Sequence, residues 1–106
     1  VLYIGFLFII LYISSSSYES FEFNQENWIE NTDSRYIYVD DLIENEKLIG
    51  LTSSELKNML GEADHEDDSI ISFYIGYSPK HLLNMDPDWL VTYMIDGKVN
   101  NVYVRE

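Results

Sequence analysis

Cysteine is absent from this chain of 106 residues. That absence excludes disulfides, thiol nucleophiles, thiolate metal sites and lipid attachment at a bacterial lipobox. Basic residues are scarce: six Lys and Arg stand against nineteen Asp and Glu, a formal net charge of −13. Nucleic-acid affinity comes largely from Lys and Arg on phosphates, and anionic lipid head groups attract basic segments. Neither partner fits such a chain, and a protein partner is expected to be neutral or basic. The same acidity also serves to keep a small protein soluble without any partner.

Histidine is limited to His65 and His81, and neither lies in an H-E-x-x-H or similar ligand spacing. No Gly-rich phosphate loop is present. Ser78 and His81 are close in sequence, but Pro79 and a loop setting give no rigid nucleophile–base pair. Asp64-His65-Glu66-Asp67-Asp68 gathers carboxylates of the kind hard cations favour. It lacks the EF-hand order and reads as a solvated loop. Asp40-Asp41 reads as helix surface, because acid–base work by paired carboxylates needs one of them in an apolar pocket. No catalytic residue, cofactor or metal ligand is therefore expected.

Two Trp, nine Tyr and five Phe are present, which speaks against disorder, since disordered chains are poor in aromatics. Residues 1–13, VLYIGFLFIILYI, carry no charge. They are too few to span a bilayer core, which takes about 20 residues, but they match the apolar region of a secretory signal. Ser14-Ser15-Ser16-Ser17 follows as a run of small residues where a signal peptidase could cut. The segment begins with Val and shows no basic n-region; a few residues upstream would complete a signal peptide or an anchor. Residues 1–17 are thus expected to be an export signal or membrane anchor with a Ser-rich spacer, and the protein to reach the periplasm or cell envelope, secreted or tethered through residues 1–13.

Residues 18–34 show no convincing period and read as an acidic tether whose aromatics fold back on the domain. Ser34 is expected to cap a helix reaching about Glu46, with Tyr36, Val39, Leu42, Ile43 and Leu48 at helical spacing on one face. Thr52-Ser53-Ser54-Glu55 has the form of a capping box. It opens a second helix with Leu56, Met59 and Leu60 on its apolar stripe and Gly61 as its stop. Glu62 to Ser69 reads as a charged loop. Three strand-like runs follow, Ile70–Tyr77, Trp89–Ile95 and Val99–Val104, with Asp96-Gly97 as a short hairpin turn. The order predicts an α+β two-layer sandwich: two N-terminal helices packed on a three-stranded antiparallel meander, over residues 35–106.

Set out in order, these pieces resemble the BamE/SmpA-like family of small bacterial envelope proteins. The matching residues are Arg35, Asp41-Leu42-Ile43, Leu48-x-Gly50-Leu51-Thr52, Leu56-x-x-Met59-Leu60-Gly61, Tyr74-Ile75-Gly76, Asp86-Pro87-x-Trp89-Leu90 and Asp96-Gly97-Lys98-Val99. The pattern looks closest to short variants of Bacteroidetes-type bacteria. The resemblance implies two helices on a three-stranded sheet, and a role in protein–protein contact like that of the accessory lipoproteins of outer-membrane β-barrel assembly. A related fold forms the repeats of a secreted β-lactamase-inhibitor protein. The chain departs from the family where the lipidated Cys would stand, because Ser occupies that stretch.

With chemistry set aside, recognition is what the residues suggest. Leu82, Leu83 and Met85 lie in the Ser78–Pro87 loop between two prolines, and loops on a rigid scaffold often carry function. The alternative is that they tuck under the sheet. Trp28 is expected to anchor either the tether to the domain or a partner to the tether. Trp89 reads as packing on a strand face. The expected partner is another envelope or secreted protein, and the chain itself is expected to be a monomer. A secreted enzyme inhibitor or an immunity-type binding protein is the alternative function.

Overall fold

The computed structural model describes residues 20–77 and 87–105. The hydrophobic segment 1–13, the Ser-rich spacer and Leu82, Leu83 and Met85 lie outside the described residues.

The capping box forms as its sequence predicts. Thr52 is extended, its hydroxyl accepts the Glu55 amide at 3.2 Å, and the Glu55 carboxylate accepts the Thr52 amide at 3.0 Å. Two otherwise orphaned donors are thereby satisfied. The resulting helix, α3 (Ser53–Leu60), ends at Gly61, whose positive φ of 86° turns the chain away. Leu56 and Leu60 bury completely on its inner face.

The stretch read as a tether is built into the domain. Residues Gln25–Glu30 form a short helix, α1, capped by Asn24, whose side chain accepts the Asn27 amide at 2.9 Å. Trp28 is fully buried, and its indole donates to the Leu60 carbonyl at 2.9 Å. The helix expected from Ser34 is also resolved differently. Thr32–Tyr38 winds as a 3₁₀ helix, and only Val39–Glu44 (α2) is α-helical. Ser34 caps nothing; it sits inside the 3₁₀ segment and donates to the Asn31 carbonyl. The tighter winding has a physical reason. Three residues per turn place Arg35 and Tyr38 one above the other, and both are buried. Arg35 donates through Nε to the Trp28 carbonyl at 2.7 Å and through Nη1 to the Tyr74 carbonyl at 3.1 Å. Its guanidinium carbon stands 4.9 Å from the Trp28 ring centroid, within cation–π range. One arginine thus ties α1 to the sheet.

The architecture is α+β: N-terminal helices pack on an antiparallel sheet of four strands, not three, in the order β1 (His65–Glu66), β2 (Ile70–Gly76), β3 (Asp88–Ile95), β4 (Lys98–Arg105). The added strand β1 is very short and lies within the stretch read as a charged loop, pairing His65 with Ser72 and Glu66 with Ile71. Asp96 and Gly97 both take positive φ, 52° and 77°, as a two-residue hairpin turn with the right twist requires. Ile71, Phe73 and Ile75 of β2 and Leu90, Thr92 and Met94 of β3 face the helices and are buried. Each fully buried aliphatic or Phe side chain contributes about 1.5–3 kcal/mol. The Thr92 hydroxyl, alone of this group in being polar, donates to the Ile71 carbonyl at 2.7 Å. Asn101 pairs with Tyr93 and Val99 with Met94, so a register shift marks a bulge at Asn100.

Candidate partner-binding face

The helices cover one side of the sheet, and the side chains that alternate onto the other side form rows across the strands. Tyr74, Trp89 and Arg105 lie in register, as do Ser72, Val91 and Tyr103, and Ile70, Tyr93 and Asn101. An antiparallel sheet with one face solvated normally shows polar residues there. Here Tyr93 is 41% exposed, Tyr103 42% and Ile95 46%. Tyr74 and Trp89 meet edge to face with centroids 5.9 Å apart, and the Arg105 guanidinium lies 5.8 Å from the Trp89 ring. Such pairs fix the orientation of large side chains. Between the rows is a shallow cavity of about 250 Å³ whose walls include His65, Ser72, Trp89, Tyr103 and Arg105. The exposed part of the face is therefore aromatic and aliphatic, Tyr93, Tyr103 and Ile95, while Ser72 and Val91 in its middle row are buried, and Asp64 and Arg105 both line the cavity.

Tyr74 is fixed further by its hydroxyl, which donates to the Asp33 carboxylate at 2.6 Å and whose pKa is thereby raised to about 12. His65 approaches Asp67 at 3.2 Å, and both are exposed. Ser72 is the cross-strand partner of His65, yet no hydrogen bond joins its hydroxyl to that ring among the described residues, so the three side chains do not form a nucleophile, base and orienter in contact.

The acidic cluster at residues 64–68 has a structural use. Asp64 accepts the Tyr74 amide at 2.8 Å, and Asp67 accepts the amides of Ser69 and Ile70, both at 2.8 Å. Those two amide bonds, Ser69 first, draw the Asp67 pKa below its ordinary value. Glu66 pairs with Lys57 at 3.0 Å. No group of three or more His, Cys, Asp or Glu arranged to hold a metal occurs among the described residues. A second, wider concavity of about 490 Å³ lies beside Phe21, Asp40, Asp41 and Lys47. Its best-placed carboxylate, Asp41, is already engaged by Lys47 Nζ at 2.6 Å, the Phe23 amide at 2.7 Å and the Asn45 side chain at 2.6 Å.

Of the residues singled out for partner binding, Trp28 sits in the core with no exposed surface and holds the N-terminal segment to the domain. Leu82, Leu83 and Met85 lie outside the described residues. Tyr93, Ile95, Tyr103 and Arg105 were not singled out. Their signal was present in β3, where Trp89, Val91, Tyr93 and Ile95 alternate with Leu90, Thr92 and Met94. A strand apolar on both sides, in a sheet with helices over one side, leaves an apolar face bare. No helix among the described residues is long and apolar enough to cross a membrane. Comparison with protein-family models, with curated proteins and with solved structures finds no match to this chain.

Proposed function

We propose that this chain is a non-catalytic protein-interaction module of the cell envelope, similar in role to the accessory proteins of outer-membrane assembly that its sequence pattern resembles. The observation that carries the reading is the bare aromatic face, with Tyr93, Ile95 and Tyr103 exposed beside the ordered Tyr74–Trp89 pair. Contiguous exposed apolar surface on a small protein is the usual material of an interface, and Tyr, Trp and Arg are the residues that most often dominate binding energy there. Export rests on the uncharged segment 1–13 and its Ser-rich sequel. The acidic surface would steer a neutral or basic partner, and the 78–87 loop is a second candidate contact.

The test is crosslinking and affinity capture from envelope fractions, comparing wild type with Tyr93→Ser/Tyr103→Ser and with Leu82→Ser/Leu83→Ser/Met85→Ser. Circular dichroism confirms that each variant folds. A specific partner lost with the first variant supports the face; recovery unchanged by both variants would remove face and loop alike. A secreted enzyme inhibitor is the second reading, favoured by the same face and by the acidic charge. It predicts a released protein, whereas an envelope module stays with the membrane fraction.

A further inference from the structure

The two edges of the sheet are finished differently. On the β2 side, nearly every outward main-chain group is occupied. Asp67 takes the Ile70 amide with its carboxylate and gives its own amide to the Ile70 carbonyl; Asp64 does the same for the Tyr74 amide and the Ser72 carbonyl, all at 2.8–2.9 Å. Arg35 then takes the Tyr74 carbonyl. Past that point Gly76 lies so close under Asp33 that an added Cβ would stand 2.1 Å from its carbonyl oxygen. This edge is shut.

On the β4 side, only the start is covered. Val99 gives its amide to Leu51 and accepts from Gly50, both at 2.9 Å, and Thr52 bridges Lys98. From Asn100 to Arg105, among the described residues, main-chain groups bond only to β3, apart from the Val102 amide, which its neighbour Asn101 accepts at 2.9 Å. An open edge is a template for another strand, and proteins usually blunt it with proline, inward charge or brevity. β4 is eight residues long and has no proline, with its charges, Lys98 and Arg105, at its two ends.

We propose that β4 accepts an antiparallel strand from a partner protein along Asn100–Arg105, and that this strand reads acidic-x-apolar-x-polar. The proposal rests on the interaction-module reading above and names the partner's chemistry. Strand addition takes affinity from main-chain hydrogen bonds and specificity from alternate side chains. On the aromatic face an added strand extends the three rows already described. Its residue opposite Arg105 meets an exposed guanidinium that forms no ion pair among the described residues, which selects a carboxylate. Two residues on, the position opposite Tyr103 meets a half-exposed ring and selects an apolar side chain; the next, opposite Asn101, selects a polar one. Such cross-strand pairs are the unit of sheet specificity. Although the chain is acidic overall, β4 holds two of its six basic residues and no acid. Charges act over about 8 Å at physiological salt, and Asp96 and Glu106 flank β4 in sequence while Asp64 lines the cavity beside Arg105, so selection of a carboxylate rests on the direct pairing with Arg105 and not on a field of the whole edge. Two copies of β4 would instead bring together two bodies of charge −13 and set Arg105 opposite the uncharged Asn101.

The experiment titrates the isotope-labelled full chain, kept in solution with mild detergent, with the peptide Glu-Ser-Val-Ser-Thr-Ser and follows amide resonances. Expected are shifts concentrated at residues 100–105 at millimolar peptide and loss of binding when the peptide backbone is N-methylated at alternate residues. Replacing its Glu with Lys is expected to weaken binding by about twofold to fivefold, and Arg105→Glu to reverse that preference. Equal binding by the N-methylated peptide overturns the proposal, as does a homodimer that occupies β4 without peptide. Shifts confined to Tyr93 and Ile95 also overturn it while leaving the aromatic face standing as an interface.

Discussion

The indole nitrogen of Trp28 donates to the main-chain carbonyl of Leu60, 2.9 Å away. Leu60 is the last residue of α3, where carbonyls lose their helical partners, so one side chain from the N-terminal segment completes the end of a helix far along the chain. Trp28→Ala should therefore cost about 3–5 kcal/mol in urea unfolding, and Trp28→Phe, which keeps most of the packing but strands the carbonyl, about 1–3 kcal/mol. A Trp28→Ala protein as stable as wild type would show that this segment is dispensable to the domain.

Glycine at position 76 is required twice over. Its φ of 91° is one that L side chains rarely adopt, and the space for a Cβ is filled by the Asp33 main chain. Gly97 has a similar φ of 77° but open space around it. Gly97→Ala is expected to cost only the left-handed strain, about 1–2 kcal/mol. Gly76→Ala should cost clearly more and release the 3₁₀ helix from β2, visible as faster amide exchange at Arg35 and Tyr74. Equal destabilisation by the two variants would contradict the close approach.

The capping box at α3 makes a smaller, cleaner prediction. Thr52→Ala removes the acceptor for the Glu55 amide and should lower stability by about 1 kcal/mol in denaturant titration. Thr52→Ser keeps the oxygen and should restore most of the loss.

Two groups give stability a dependence on pH at opposite ends. The Asp33 hydrogen bond raises the Tyr74 pKa from 10.0 to about 12. A raised pKa favours the protonated form in the fold, so the contribution is whole below pH 10 and disappears as pH climbs toward 12. Ultraviolet titration should show Tyr74 ionising at about pH 12, and Asp33→Asn should lower that midpoint. Asp41 is the reverse case: the Lys47 ammonium first, then the Phe23 amide, hold its pKa below the ordinary 3.8. Its contribution is present above that value and lost as pH falls through the folded-state pKa. Asp41→Asn should be destabilised at neutral pH, with the gap to wild type closing in acid.

Much of the fold was legible because local chemistry and tertiary demand agree there. Thr52 to Gly61 carries its own start and stop signals, and Asp96-Gly97 can turn the chain as a hairpin needs. The face of Val39, Leu42 and Leu48 was visible in its spacing, and all three are buried. What escaped was set by distant contacts. Nothing in Gln25–Glu30 announces a helix, since its single buried residue, Trp28, gains its place from Leu60 and Arg35. The 3₁₀ winding of Thr32–Tyr38 follows from where Arg35 must reach, which no local pattern encodes. β1 has no apolar residue at all; two exposed positions pair with β2 because Asp64 and Asp67 bond its main chain. The aromatic face was written in the two-sided pattern of β3, but seeing it required knowing that helices take only one side.

The closure of the β2 edge by Asp64, Asp67, Arg35 and Asp33 also sets a limit on growth. Fibrous assembly through sheets needs two receptive sides on every unit, one to add and one to be added to. Among the described residues this domain offers one, so copies of it cannot chain edge to edge into a longer sheet. Assemblies formed through that edge should stop at a single added strand, and light scattering that rises without limit in native solution would contradict this. If β4 takes a partner strand as proposed, the domain would cap that strand without serving as a link between further copies of itself.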